Sequence, residues 1–169
     1  MKRFLPALMT LVATPALAHT GAGIDHVHAA TSGLLHPLTG ADHLAAMLAA
    51  GAAAAHFTGL GRLAVPAAFL VAMVAGFGLA LAGLPLPFVE AMILASVIGL
   101  GVLAVVPRRL VTVSLVAAGF AVFHGYAHGT ETASADGITF AFGFVASSAM
   151  LMAAGTGLAS LFRRSFARV

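Results

Sequence analysis

Long apolar runs separated by short polar breaks occupy almost the whole chain. The runs cover residues 1–18 and then about 33–57, 63–84, 88–106, 110–128 and 138–162. Each of the last five is close to the roughly 20 residues an α-helix needs to cross a hydrocarbon core. Between them lie Arg62, the turn Leu84-Pro85-Leu86-Pro87, the turn Pro107-Arg108-Arg109, and a polar loop from Gly129 to Gly137. The expected fold is all-α: a polytopic membrane helix bundle with five spanning helices. The first span carries Pro37 and Gly40 in its early part. A short helix to about His36, a break, and a second helix capped by Thr39 are expected there. Broken helices at membrane depth are tolerated where they line a polar cavity.

The run at residues 1–18 has a different character. Lys2 and Arg3 start it, Phe4 to Thr14 are mostly apolar, and Ala16-Leu17-Ala18 offers an A-x-A cleavage site. Pro6 and Pro15 interrupt it. That is the pattern of a signal peptide cleaved after Ala18. The mature single transmembrane domain, residues 19–169, then begins at His19 outside the cytoplasm.

Composition agrees with a membrane class. Of 169 residues, 61% are hydrophobic and 8% charged, against about 25% charged in soluble domains. The basic residues are scattered and form no nucleic-acid-binding face. Without cysteine there is no disulfide framework and no thiolate metal site. Charge also sets the orientation. With His19 outside, Arg62, Arg108, Arg109, Arg163, Arg164 and Arg168 all fall on the inner side, as the positive-inside rule requires. Asp25, Glu131 and Asp136 fall outside, and Asp42 and Glu90 lie toward the outer ends of their spans. The expected location is the bacterial inner membrane, with the C-terminus cytoplasmic.

Against this apolar background the ionisable groups stand out. An ionisable side chain at the centre of a spanning helix costs about 2.5–3.5 kcal/mol on insertion scales. His36, Asp42, His43, Glu90, His124, His128 and Glu131 all lie in the outer half or at the outer surface of the expected bundle. His124 and His128 are four apart and share a helical face. Asp42 is adjacent to His43 and can either ligate an ion or fix the imidazole tautomer. Upstream, His19, Asp25, His26 and His28 form a polar lead-in that can gather metal loosely. Imidazole with carboxylate suits Ni, Co, Zn, Fe or Cu(II), and the lack of Cys argues against Cu(I). His56 reads as an interfacial residue, and Met47, Met73 and Met92 read as packing. Small residues spaced three or four apart, such as Gly51 with Ala55 and Gly76 with Ala80, imply close helix approach.

Two stretches carry a resemblance. His36-Pro37 with Gly40, Asp42, His43 and Met47, and Phe123-His124-Gly125-Tyr126-Ala127-His128-Gly129-Thr130-Glu131, resemble the motifs of the HupE/UreJ family of membrane proteins. The resemblance extends over essentially the whole chain. It implies uptake of nickel, or in some members cobalt, for hydrogenase, urease or cobalt-dependent pathways. Proteins of metalloenzyme maturation are the partners this implies. Carried over by motif, His36, Asp42, His43, His128 and Glu131 are metal-site residues, and Glu90 matches an acidic position in its helix.

The expected function is therefore a permease, not an enzyme, with Ni2+ or Co2+ as cargo and no prosthetic group. The ion and the lipid bilayer are its partners, and nucleic acid is not. Two alternatives use the same residues. One is a haem-binding membrane cytochrome with histidines from two spans as axial ligands. The other is a metal-dependent membrane enzyme, although neither HExxH nor G-x-S-x-G occurs.

Overall fold

A computed structural model describes residues 29–132 and 137–166. Residues 1–18, expected as a signal peptide, and the lead-in residues His19, Asp25, His26 and His28 lie outside the described residues. The described chain is all-helical: α1 Ala29–Thr39, α2 Ala41–Ala54, α3 Leu60–Leu81, α4 Val89–Val105, α5 Leu110–Glu131 and α6 Gly137–Phe166. Three helices, α3, α5 and α6, are long and apolar enough to cross a membrane. At 1.5 Å per residue, the two 22-residue helices α3 and α5 reach about 33 Å. The apolar helices α2 and α4 are shorter.

The surface has the inverse of a soluble pattern. Val71, Ile98, Val105, Leu115, Phe142 and Leu158 are exposed, while His43, Ser96, His124 and His128 are buried. Exposed apolar area on this scale marks a surface made for lipid or a partner.

The break in the first apolar run falls at Gly40, and its details differ from expectation. Pro37 does not end α1, which continues to Thr39. Proline removes its bond to the preceding turn, at residue 33, but its fixed φ is compatible with helix, so the chain can stay helical through Thr39. Thr39 was expected as the cap of the second piece. Instead it closes the first, its Oγ1 donating to the His36 carbonyl at 2.8 Å. Gly40 takes the N-cap position of α2 in an extended conformation (φ −96°, ψ 117°).

The far end of α5 also differs. Glu131 was expected in a loop but belongs to the helix. Thr130 Oγ1 donates to the Ala127 carbonyl and Thr132 Oγ1 to the His128 carbonyl, both at 2.6 Å. The Thr132 N–H also bonds the His128 carbonyl, at 3.1 Å, so the backbone ladder runs on through Glu131 and the hydroxyls add to it.

Glycines set how closely the helices approach, in three reciprocal pairs. On α1 and α6, Gly33 faces the Phe140 backbone and Gly143 the Ala30 carbonyl. On α2 and α6, Gly51 faces the Met152 carbonyl and Gly155 the Leu48 carbonyl. On α3 and α5, Gly76 faces the Val122 carbonyl and Gly125 the Met73 carbonyl. Lipid gives helices no hydrophobic reason to associate, so contact of this kind carries the packing. Between them, Met47, Phe69, Met73, Leu100, Phe144 and Met152 fill the core.

The helix directions give the bundle two unlike ends. The α1–α2 break, the start of α4, the end of α5 and the start of α6 share one end. At the other, Arg163 Nη2 donates to His56 Nε2 at 2.7 Å and to the Ala104 carbonyl at 3.1 Å. That guanidinium ties together α6, the end of α2 and the end of α4. Arg62, Arg108, Arg109 and Arg164 belong to this second end as well.

A candidate metal centre

The first end gathers the polar groups. His36 comes from α1, Asp42 and His43 from the first turn of α2, and His124, His128 and Glu131 from the last two turns of α5. Phe140 and Phe144 of α6 wall the group, with the Phe144 ring 4.3 Å from that of His128 and the Phe140 ring 5.5 Å from that of His36. Exposure falls steadily inward. The side chains of His36 and Glu131 are 27% and 29% exposed, that of Asp42 18%, and that of His43 2%. His124 and His128 are fully buried.

Two carboxylates orient two imidazoles. Asp42 Oδ1 accepts the His43 backbone N–H at 2.8 Å and stands 3.0 Å from His43 Nδ1. Glu131 Oε2 stands 3.2 Å from His128 Nδ1. A carboxylate is acceptor-only, so each Nδ1 carries the proton. In a neutral ring the lone pair then sits on Nε2. The two Nε2 atoms face each other at 2.6 Å. Two lone pairs that close repel unless something positive lies between them, a shared proton or a metal ion. Carboxylate–histidine–metal triads have this form. With metal–nitrogen bonds of about 2.05 Å, two nitrogens held at a right angle stand about 2.9 Å apart. Opening the present gap by a few tenths of an ångström would seat an ion.

A second set shares His128. His36, His128 and Glu131 bring one ligand atom each within 4.8 Å of one another. His36 Nε2 is 3.8 Å from Glu131 Oε2, and its ring lies 4.6 Å from that of His128. His128 thus stands between the outer side chains, bonding Glu131 through Nδ1, and the inner His43, which it faces through Nε2.

Not every expected residue joins the group. Glu90 is exposed in the first turn of α4 and makes no hydrogen bond or ion pair with these histidines. The α4 residue that reaches the group is Ser96, whose Oγ is 2.8 Å from His124 Nε2. Ser96 and Phe144 were not among the sequence candidates. One signal for Ser96 existed: it is the lone hydroxyl in α4. His56 lies at the opposite end, with Arg163.

Gly40 also shapes the site. A Cβ there would lie 3.0 Å from Asp42 Oδ1 and 3.2 Å from His43 Nδ1. Its φ of −96° accepts alanine without backbone strain. Gly40→Ala therefore crowds the Asp42–His43 pair and little else. If the pair serves a divalent cation, its affinity, read by titration calorimetry with Ni2+ as the probe, should fall about tenfold, the lower bound for disturbing a ligand's orienting partner. Helical content should stay unchanged by circular dichroism.

The family model described as HupE / UreJ protein matches residues 7–169. Protein HupE of Rhizobium leguminosarum bv. viciae is 36% identical over 156 residues, covering 90% of this chain and 81% of that protein. No solved structure matches.

Proposed function

Since the chain belongs to the HupE/UreJ family, we propose that it is a membrane permease taking up a divalent transition metal, with Ni2+ as principal cargo and Co2+ as the alternative. The single observation carrying this reading is the pair of converging imidazoles. His43 and His128 stand with Nε2 atoms 2.6 Å apart, each held from behind by a carboxylate. Nothing in helix packing requires that arrangement, and a cation resolves its electrostatics.

The ion follows the gradient of burial. His36 and Glu131 meet it first, trading bound water for imidazole and carboxylate. His128, oriented by Glu131 at its Nδ1, takes it up through Nε2, where His43 joins. His124 lies deepest. Glu90, exposed near the start of α4, and the lead-in residues His19, Asp25, His26 and His28 act earlier, by concentrating cations at the mouth. Conduction needs binding weak enough to release.

The membrane reading assigns five spans, the α1–α2 pair forming the first as a broken helix. The metal centre then faces outside and the arginine-rich end faces the cytoplasm, as positive-inside placement requires. The protein sits in the inner membrane after removal of residues 1–18.

A haem site finds no support in this geometry. Axial nitrogens on opposite faces of one iron stand roughly 4 Å apart, two metal–nitrogen bonds, with a porphyrin between them. Nitrogens at 2.6 Å leave no such space.

Uptake of radioactive nickel by cells expressing the chain tests the proposal. Accumulation above that of control cells is expected, with unlabelled Co2+ competing better than Zn2+. Accumulation equal to control cells would sink it. Asp42→Asn gives a finer check. The amide keeps the shape but loses the charge that polarises His43, so nickel affinity should drop by about 10- to 100-fold.

A further inference from the structure

His124 is the one histidine of the group without a carboxylate behind it. Its partner is Ser96, and the serine's own bonding decides what the imidazole can do. Ser96 Oγ lies 2.6 Å from the Ile93 carbonyl and 2.8 Å from His124 Nε2. A serine has one hydrogen to donate. At 2.6 Å from a carbonyl oxygen that hydrogen must point at Ile93, since two bare acceptors at that distance repel. Ser96 Oγ is then an acceptor toward His124, and His124 Nε2 must carry the proton. In the neutral ring the lone pair falls on Nδ1. That nitrogen is buried and has no hydrogen-bond partner. The ring stands edge-on to His43, with centroids 4.7 Å apart and planes at 88°.

A buried acceptor with nothing to accept is unfavourable. The opposite tautomer would be worse here, because it would bury an unpaired N–H and set Ser96 against both neighbours. The Ser96 contact thus selects the form that keeps an unused lone pair beside His43. We propose that Ser96 is a positioning residue that fixes His124 as the Nε2–H imidazole and commits its Nδ1 lone pair to the passing cation. His124 would then bind through the opposite nitrogen from His43 and His128. Ser96 does for His124 what Asp42 and Glu131 do for those two, without adding charge at the deepest point of the group. This assignment rests on the permease reading for the identity of its ligand.

Two measurements test it on the full chain. In protein labelled with nitrogen-15 histidine, the ring signals of metal-free His124 are assigned by their loss in His124→Gln. Wild type should show a protonated Nε2 and a bare Nδ1. In Ser96→Ala that single tautomer should give way to a mixture, and Ser96→Thr should restore it. Nickel affinity, by titration calorimetry, should fall about tenfold in Ser96→Ala and recover in Ser96→Thr. A purely structural serine would move neither the tautomer nor its rescue. An unchanged tautomer in Ser96→Ala, or unchanged nickel affinity, would overturn the assignment. The arms separate this inference from the permease reading. Ring signals of the metal-free protein test Ser96 alone, whereas a wild type that binds no nickel overturns the permease reading and the metal half of this one.

Discussion

Replacing His43 by alanine should abolish the proposed nickel uptake while leaving the helices assembled. The imidazole is the hinge of the candidate centre: Asp42 orients it, His128 faces it at 2.6 Å, and the His124 ring lies 4.7 Å away. Its removal takes a ligand from the ion and leaves His128 without its opposite number. Disturbing an orienting partner already costs 10- to 100-fold in affinity, so loss of a ligand should cost on the order of 100-fold or more. The fold should survive, because α2 packs through Ala46, Met47, Ala50 and Ala53, all fully buried, and through Gly51 against Met152. The check is the initial rate of radioactive nickel accumulation, normalised to protein in the membrane fraction. Uptake at more than about a tenth of the wild-type rate would contradict the role given to His43.

Gly125→Ala should be the most destabilising of the conservative substitutions. Its Cβ would overlap the Met73 carbonyl, while across the same contact Gly76 meets Val122. The obstacle is backbone, so no rotamer change relieves it, and α3 and α5 must separate. Overpacking of this kind costs about 1–3 kcal/mol, and more where nothing can yield. The shift also moves His124 and His128, the neighbours of Gly125 on the same helix. Gly119→Ala is the control within α5, since a Cβ there meets nothing within 4 Å. Thermal unfolding in detergent should show a clear loss of melting temperature for Gly125→Ala and little change for Gly119→Ala.

Much of this site is legible in the sequence because ionisable groups are so rare in it. In a chain with 8% charged residues, His36, Asp42, His43, His128 and Glu131 draw notice without any structure. Helix spacing links His124 with His128, and the charge pattern assigns both islands to one side. The details that escaped are of two kinds, local side-chain bonds at helix ends and tertiary contacts. Whether a helix breaks at Pro37 or Gly40 depends on Thr39 bonding back to His36, a choice that local propensity leaves open. Glu131 looked like a loop residue because glycine and threonine surround it; the backbone ladder nonetheless continues to the Thr132 N–H, which bonds the His128 carbonyl. Ser96 is one apolar-helix serine among several until α4 meets α5. Glu90 shows the reverse: a carboxylate conspicuous in the sequence that stands apart from the histidines in the fold.

The central claim is that His43 and His128 hold the same ion. A double-mutant cycle on nickel affinity tests it most directly, using wild type, His43→Ala, His128→Ala and the double variant in purified protein. If both rings ligate one ion, the two losses are coupled, and the double variant departs from their sum by about 1 kcal/mol or more. Losses that add to within about 0.5 kcal/mol would mean that the two histidines serve separate ions, contradicting the shared centre.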